Sequence, residues 1–218
     1  AQQLIYKNNG IRNFMHRGLS HDFPENSHYA FDMAVFTGAS GIETDLWMSS
    51  DKSFIISHDN SLNSMTDSTL LISETSSNVI LDLNITKGKN ISKVPTTKMM
   101  YFEQLLHTSL RGDVSVIAEI KPTNLTNSDL QILIDIIKNN NAQSRVALMS
   151  FDFNTIQRIR ELDFEIVVGL VLESPYFNQN ICDTLLTLGN AFASVSYSSI
   201  NDTVSNQALA DLNNIPIT

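Results

Sequence analysis

Amphipathic stretches and apolar runs alternate along the second half of the chain. Each amphipathic stretch has apolar residues at helical spacing, and the short apolar run after it is typical of a buried strand. The predicted helix and strand pairs are Tyr101–Arg111 with Val114–Lys121, Ser128–Asn139 with Arg145–Phe151, Asn154–Leu162 with Glu165–Leu172, and Asn180–Leu188 with Phe192–Tyr197. A last helix, Thr203–Leu212, precedes the apolar start of a further strand at Ile215–Ile217. Single helices between strands imply right-handed crossovers and a parallel sheet.

The N-terminal part follows the same alternation until a polar segment interrupts it. The pattern predicts a strand at Ile11–Met15, a helix that begins after Pro24–Ser27, a strand at Ile42–Met48 and an extended run at Ser53–Ser57. Residues Asn60–Thr97 are rich in Ser, Thr and Asn and show weak periodicity. We therefore expect an insertion over residues 60–97 rather than another strand and helix.

Two predicted strands are apolar on both faces, which favours an enclosed sheet. Val114–Ile120 and Ile166–Leu172 have this character, as expected when helices cover one face and a packed interior covers the other. Periodicity alone fits a closed barrel as well as an open, doubly wound sheet. Because no glycine-rich nucleotide-binding loop follows the first strand, we favour the barrel.

Composition limits the kinds of partner. With 218 residues, the chain is long enough for one domain over residues 1–218. The formal net charge of −9 argues against a nucleic-acid surface, but a bound cation would still allow a phosphate substrate. Cys182 is the only cysteine, which excludes an intrachain disulfide. Neither a signal peptide nor a bilayer-length apolar run is visible, so we expect a soluble domain whose compartment the sequence does not indicate.

Three carboxylates stand in otherwise apolar strands. Glu43 and Asp45 are two positions apart, so both project from one face of their strand, and Glu119 lies near the end of the strand Val114–Lys121. Carboxylates aimed into a barrel are unfavourable unless they are protonated or bound to a cation. Together they predict an oxygen-ligand site for Mg²⁺ or Ca²⁺. The alternative is that Glu43 and Asp45 lie on a solvent-facing edge and that Glu119 pairs with Lys121.

Two histidines follow apolar runs and are therefore expected at the same end of the barrel. One of His16 and His58 would accept a proton and the other would donate one, as in general acid–base catalysis. A histidine in this position is also a common structural hydrogen-bonding residue. Arg17 favours the catalytic interpretation, because a guanidinium binds phosphate oxygens through two hydrogen bonds. The other histidines, His21, His28 and His107, are interpreted as structural.

Five short motifs follow one another between the N-terminus and the middle of the chain. They are His16-Arg17-Gly18, Pro24-Glu25-Asn26-Ser27, Gly41-Ile42-Glu43-Thr44-Asp45, His58-Asp59 and Glu119-Ile120-Lys121. Their order and spacing resemble the signature of the glycerophosphodiester phosphodiesterases, or GDPD domains. The combination is specific, although no single motif is. The resemblance implies an α/β fold, a TIM-type (β/α)₈ barrel with a small insertion after its second strand, which matches residues 60–97.

The resemblance also implies a role for each site residue. It makes Glu43, Asp45 and Glu119 the ligands of one divalent cation, and His16 and His58 the acid and base. Arg17 and Lys121 would contact the substrate phosphate, and Glu25 would hold the first loop or touch the site.

The implied reaction is hydrolysis of a small glycerophosphodiester to glycerol 3-phosphate and an alcohol. In the mechanism proposed for the family, the glycerol 2-hydroxyl attacks phosphorus, the alcohol leaves, and the cyclic phosphate is then hydrolysed. Two other classes stay open: a related barrel lipase of the phospholipase C or D type, and a catalytically silent binding module. An exposed apolar rim or a basic face would indicate the lipase, and the net charge of −9 does not favour one.

The chain departs from the family pattern in two places. Ser50-Asp51-Lys52-Ser53 replaces a Lys-Asp-Gly-like turn, and the sequence ends at Thr218, before the family's final strand and helix. We therefore expect a barrel that is truncated at its C-terminus, with open strand edges that favour dimerisation. The segment Phe192–Ile200 resembles the membrane-attached bacterial members of the family, which implies a membrane-anchored parent protein.

Overall fold

A curved sheet of parallel strands forms the centre of the molecule. The computed structural model describes Leu4, residues 12–172 and residues 178–195. The strands follow the order β1-β2-β6-β7-β8-β9, and these six form a half-barrel. Their bounds are Phe14–His16 (β1), Gly41–Met48 (β2), Ser115–Ile120 (β6), Val146–Ser150 (β7), Val167–Leu172 (β8) and Ala191–Val195 (β9). The predicted parallel α/β barrel fold is confirmed for this part of the chain.

Three short strands lie outside the parallel path. Strand β3, Phe54–Ile56, pairs antiparallel with the end of β2 and forms a hairpin with it. Strands β4, Asn84–Ile85, and β5, Thr97–Lys98, form a separate two-stranded sheet. The helices are His28–Phe36 (α1), Ser77–Asp82 (α2), Phe102–Gly112 (α3), Asn127–Asn139 (α4), Phe153–Leu162 (α5) and Gln179–Leu188 (α6).

Side-chain caps start helices α1, α4 and α5 after the loops at the carboxyl ends of the strands. Ser27 Oγ accepts a hydrogen bond from Ala30 N at the start of α1. Thr126 and Asp129 form a reciprocal capping box at the start of α4, and the Asp152 carboxylate accepts from Thr155 N at the start of α5. Each cap satisfies a backbone N–H that has no partner inside the helix. The caps therefore fix the loops at the end of the sheet where the predicted site residues lie.

The two faces of the sheet have different surroundings. The outer face packs against the helices in a large apolar cluster that includes Ile42, Leu46, Val116 and Leu148. The inner face carries a smaller apolar layer, made of the buried residues Leu4, Ile117, Ala147, Met149, Val167 and Phe192. A side chain at Gly169 would lie 2.2 Å from the Phe192 ring, so this position of β8 must be glycine to admit the ring. The inner layer closes the barrel interior below the site.

Asp163 connects helix α5 to strand β8. Its carboxylate accepts hydrogen bonds from the backbone N–H groups of Glu165 and Ile166, and it pairs with the ammonium group of Lys138. Burial opposes ionisation of Asp163, but these bonds outweigh it and hold the pKa of the carboxyl below its usual value. These contacts fix the turn between helix α5 and the first residue of β8.

Residues 60–97 contain short elements around a separate apolar cluster, to which Ile55 of β3 and Met99 also belong. They include three turns of 3₁₀ helix, the helix α2 and the strands β4 and β5. The cluster is formed by Ile55, Leu62, Met65, Ile72, Ile80, Ile85 and Met99. This segment also contacts the loop after β1: Asn90 Nδ2 donates to Asp22 O at 2.9 Å, and Gly88 lies against Pro24. It therefore packs beside the loop that contains Arg17.

The observed elements match the predicted ones within a few residues over most of their length. Strand β1 is shorter than predicted and begins at Phe14. The predicted helix Thr203–Leu212 and the strand start at Ile215–Ile217 lie outside the described residues, as does the end of the predicted strand Phe192–Tyr197. No helix in the part of the chain described here combines the length and apolar character needed to cross a membrane.

Candidate active site

Glu43, Asp45 and Glu119 come together at the carboxyl end of the sheet. Strands β2 and β6 are parallel neighbours, and their register pairs Asp45 with Glu119. Each residue offers an oxygen atom within 4.8 Å of the others. All three are buried, with exposed fractions of 8% for Glu43, 1% for Asp45 and 7% for Glu119. The alternative of a solvent-facing edge is therefore wrong for Glu43 and Asp45, and the predicted convergence of the three carboxylates is found.

Burial and crowding raise the pKa values of two of these carboxyl groups. Burial, with the nearby Asp45 carboxylate as the next cause, raises the pKa of Glu43 to about 8. Burial also raises the pKa of Glu119, although the Lys121 ammonium group partly opposes that shift. Buried oxygen ligands whose charges repel one another suit a hard divalent cation, which would offset both effects.

Lys121 and Arg17 bring positive charge to the carboxylates. Lys121 Nζ lies 2.8 Å from Glu119 Oε1 and 3.0 Å from Asp45 Oδ1. Asp45 Oδ1 is buried without a hydrogen bond from the described residues, so its contact with Lys121 is an ion pair with poor hydrogen-bond angles. An oxygen that is buried with an ion-pair contact but no hydrogen-bond donor can still serve as a metal ligand, and the carboxylate set fits a cation of the Mg²⁺ or Ca²⁺ type. The alternative pairing of Glu119 with Lys121 is also present, within the same cluster.

A tight turn after β1 positions Arg17. Its backbone is left-handed, with φ of 55°, and Gly18 follows with φ of 75°. A side chain at Gly18 would lie 2.7 Å from Ala30 O, so the turn requires glycine there. Arg17 N donates to Glu43 Oε2 at 3.0 Å, and Arg17 Nε lies 3.2 Å from Asp45 Oδ2. Arg17 therefore contacts two of the three carboxylates.

Glu25 contacts the site through Arg17. Its carboxylate accepts hydrogen bonds from Arg17 Nη1 at 2.9 and 3.1 Å. This contact spans the loop between β1 and α1 and fixes the end of the guanidinium group. Glu25 thus contacts Arg17, which in turn contacts Asp45.

The two predicted catalytic histidines lie at the same end of the sheet. His16 Nε2 is 3.8 Å from Glu43 Oε2, and its side chain is 68% exposed. Partial burial, and next the charge of Arg17, lower the pKa of His16. His58 Nδ1 contacts Asp59 Oδ1 at 2.9 Å, and His58 O accepts a hydrogen bond from Trp47 Nε1 at 3.0 Å. Asp59 therefore fixes the His58 ring and leaves its Nε2 available.

Asn26 is a site residue that the sequence analysis did not assign. It is 1% exposed, with φ of 53°. Its Nδ2 donates to Asp45 Oδ2 at 3.0 Å, and its Oδ1 accepts from Thr44 Oγ1 at 2.9 Å. The signal available was its place in the motif Pro24–Ser27, since asparagine tolerates a left-handed backbone at a helix start. Asn26 therefore orients the Asp45 carboxylate.

Two of the remaining histidines have other partners. His21 is 89% exposed and pairs with Asp22, and His107 Nε2 contacts Asn140 Oδ1 at 3.0 Å on helix α3. These contacts agree with a structural interpretation.

The fold and the carboxylate cluster define an α/β barrel protein with a candidate metal centre at the carboxyl end of its strands. The model of the glycerophosphoryl diester phosphodiesterase family matches residues 16–212. The chain belongs to this family.

Relatives of known sequence match the chain over part of their length. The Bacillus subtilis protein YqiK is 26% identical over 144 residues, which cover 66% of this chain and 59% of that protein. Human glycerophosphodiester phosphodiesterase 1 is 32% identical over 113 residues, which cover 49% of this chain and 34% of that protein. The chain thus spans less than two thirds of the length of either relative.

Solved structures show the same fold. A phosphodiesterase from Oleispira antarctica, solved in complex with the product sn-glycerol-3-phosphate, superposes with a TM-score of 0.77 at 18% identity, covering 95% of this chain and 91% of that one. A glycerophosphoryl diester phosphodiesterase homologue from Silicibacter pomeroyi superposes with a TM-score of 0.76 at 15% identity, covering 91% of this chain and 80% of that one.

Proposed function

We propose that this protein hydrolyses glycerophosphodiesters to glycerol 3-phosphate and an alcohol with the help of one divalent cation. The observation that carries the proposal is the convergence of three buried carboxylates within 4.8 Å, beside two cationic side chains and two histidines. Membership of the phosphodiesterase family supports the reaction class. The product found in the Oleispira antarctica relative, sn-glycerol-3-phosphate, supports the same choice of product.

Glu43, Asp45 and Glu119 would hold the cation, either Mg²⁺ or Ca²⁺. Their oxygens are hard ligands, and the remaining positions would be filled by water or substrate oxygens. When bound, the cation would supply positive charge that polarises a phosphate oxygen and stabilises charge that develops at phosphorus. Asn26 would keep Asp45 oriented, because its amide occupies Oδ2 and leaves Oδ1 toward the cluster.

Arg17 and Lys121 would bind the phosphodiester. Both side chains are cationic and lie beside the carboxylates, so a phosphate group bound there would accept hydrogen bonds from the Arg17 guanidinium and the Lys121 ammonium group. Glu25 would keep the Arg17 guanidinium in position through its own pair of hydrogen bonds.

His16 and His58 would move the protons. One imidazole accepts the proton of the substrate's glycerol 2-hydroxyl as that oxygen attacks phosphorus, and the other donates a proton to the alkoxide that leaves. The cyclic phosphate then takes up water with the two roles reversed, which regenerates both histidines and yields glycerol 3-phosphate. Asp59 supports this role of His58 by holding Nδ1, so that Nε2 would be the ring nitrogen that exchanges the proton.

A turnover assay tests the proposal. Release of glycerol 3-phosphate from sn-glycero-3-phosphoglycerol would be measured with Mg²⁺, with Ca²⁺ and with a chelator. We expect turnover with at least one cation and its loss in the chelator. Turnover that the chelator leaves unchanged would remove the metal from the proposal, and no release with either cation would contradict the reaction itself.

A further inference from the structure

A cleft lies beside the carboxylate cluster and is used by none of the roles proposed above. It has a volume of about 380 Å³. The β2–β3 turn, residues of the 60–97 segment and the loop between β6 and α4 form its walls. Trp47 and Pro122 contribute apolar surface, and Lys52, Ser73 and Asn124 contribute polar groups. The cleft is therefore partly apolar and partly lined by hydrogen-bonding groups.

The cleft adjoins the groups that would hold the phosphate. The register of β2 and β6 pairs Leu46 with Ile120, and Lys121 N donates to Leu46 O at 3.2 Å, so the next residues along the two strands, Trp47 and Lys121, are neighbours. Trp47 also donates its indole N–H to His58 O. Along an extended strand, Trp47 lies about 7 Å beyond Asp45 and projects from the same face.

The charged groups of the cleft are an ion pair with its positive end exposed. Lys52 Nζ lies 2.9 Å from Asp129 Oδ1, and the Lys52 side chain is 56% exposed whereas that of Asp129 is 7% exposed. Asp129 also accepts a hydrogen bond from Thr126 N at 3.0 Å. Its carboxylate is thus occupied and buried, and an ammonium group stands at the rim.

These features suit an uncharged alcohol with several hydroxyl groups. Asn124 and Ser73 are exposed, and their amide and hydroxyl groups both donate and accept hydrogen bonds. A quaternary ammonium group instead needs aromatic faces or a free carboxylate. Within the described part of the chain, Trp47 is the only aromatic residue that lines the cleft, and Lys52 would repel such a cation.

We infer that this cleft binds the leaving alcohol and selects uncharged polyhydroxy alcohols over cationic amines. The alcohol class includes glycerol, cyclitols and sugars. The inference rests on the proposed function, because it concerns the alcohol side of the same phosphodiester.

Four esters of sn-glycerol 3-phosphate test the inference, with glycerol, inositol, choline and methanol as the alcohol. The methyl ester is too small to fill the cleft and reports the reaction alone. We expect kcat/KM for the two polyol esters to exceed that for the choline ester by about tenfold or more, because a site built for hydroxyl groups rejects a ligand that lacks them.

Two variants of exposed residues locate the selectivity. Lys52→Met should raise kcat/KM for the choline ester about fivefold, the size of one exposed charge interaction. Asn124→Ala should lower kcat/KM for the polyol esters by about 2–10-fold, the range for one hydrogen bond. Both should leave the methyl ester unchanged. Lys98→Met is the matched control, because Lys98 is 54% exposed and pairs with Asp82 in the 60–97 segment, outside the cleft.

The outcomes separate the inference from the proposed function. Equal kcat/KM for choline and polyol esters, or Lys52 and Asn124 variants that behave like the Lys98 control, would overturn the inference while hydrolysis stands. Turnover of the methyl ester alone would likewise overturn the inference and leave the proposed hydrolysis standing. If none of the four esters is hydrolysed with either cation, the proposed function fails and the inference fails with it.

Discussion

At Asn26, the contribution of the side chain to stability can be measured separately from that of the left-handed backbone. Its amide bridges Asp45 and Thr44, and its backbone is left-handed with φ of 53°. Asn26→Gly removes the side chain but accepts this backbone without strain. Asn26→Ala removes the side chain and adds the strain of a left-handed backbone. Comparing the two variants therefore divides the effect into its two causes.

The structure gives the expected magnitudes. A hydrogen bond to a charged group contributes about 1.5–3 kcal/mol and a neutral one about 0.5–1.5 kcal/mol, so Asn26→Gly should lower the free energy of unfolding by about 2–4.5 kcal/mol. Asn26→Ala should lower it by about 1 kcal/mol more. Because Asp45 loses a partner that orients it, the affinity for Mg²⁺ or Ca²⁺ should also fall, by about 10–100-fold.

Urea unfolding in a chelator measures the first effect, and isothermal titration with the cation measures the second. Stability and affinity are read separately, so a variant that is merely less stable is recognised. If Asn26→Gly unfolds within about 0.5 kcal/mol of the wild type, as an ordinary surface substitution does, and binds the cation equally well, Asn26 does not hold Asp45. Equal stability of the Gly and Ala variants would show that the left-handed backbone adds no strain.

Three further results are expected. Glu43→Gln should weaken binding of the divalent cation at least about tenfold in isothermal titration, whereas Glu74→Gln, an exposed control, should not. His16→Ala and His58→Ala should each lower kcat by about 10²–10⁴-fold with nearly unchanged cation affinity, and a variant that keeps half of the activity would show a structural histidine. Asp163 has a lowered pKa, so its stabilisation is complete above the unfolded value of about 4 and is lost as pH falls through the lower folded value. The stability advantage of the wild type over Asp163→Asn should therefore be constant above about pH 5 and shrink below about pH 4, and an advantage independent of pH would contradict the assignment.

The carboxylate cluster could be predicted because strand geometry is strict. Side chains of a strand alternate between two faces, so Glu43 and Asp45 had to share a face wherever that strand lay. Parallel strands also end at the same edge of a sheet, which brings Glu119 to the same place once β6 is a neighbour of β2. The fold followed from the same regularity, since helices and strands with clear periodicity occupy most of residues 101–195.

The contacts made by loops could not be predicted in this way. The hydrogen bond from Asn26 to Asp45 joins a loop to a strand across 19 positions of sequence, and the periodicity of the sequence does not predict it. The 60–97 segment is similar, because local side-chain bonds fix its short turns instead of a repeating apolar face. Asn60, for example, holds Ser73 through both its amide nitrogen and its amide oxygen. Such hydrogen bonds depend on which loop side chains lie close together in the folded protein, and the sequence alone does not predict this.

The inner face of the sheet explains why the site lies where it does. Its lower layer is apolar, with Ile117 opposite Ala147, and the next inward positions of the same strands are Glu119 and Met149. A single step of two residues along β6 thus passes from the packed interior to the carboxylates. Their burial raises the pKa of Glu43 to about 8 and is unfavourable without a compensating charge. The apolar core between the sheet and the helices stabilises the fold enough to offset the unfavourable burial of these carboxylates. Apolar residues at the same positions would be more stable, so the cluster is kept for function and not for stability.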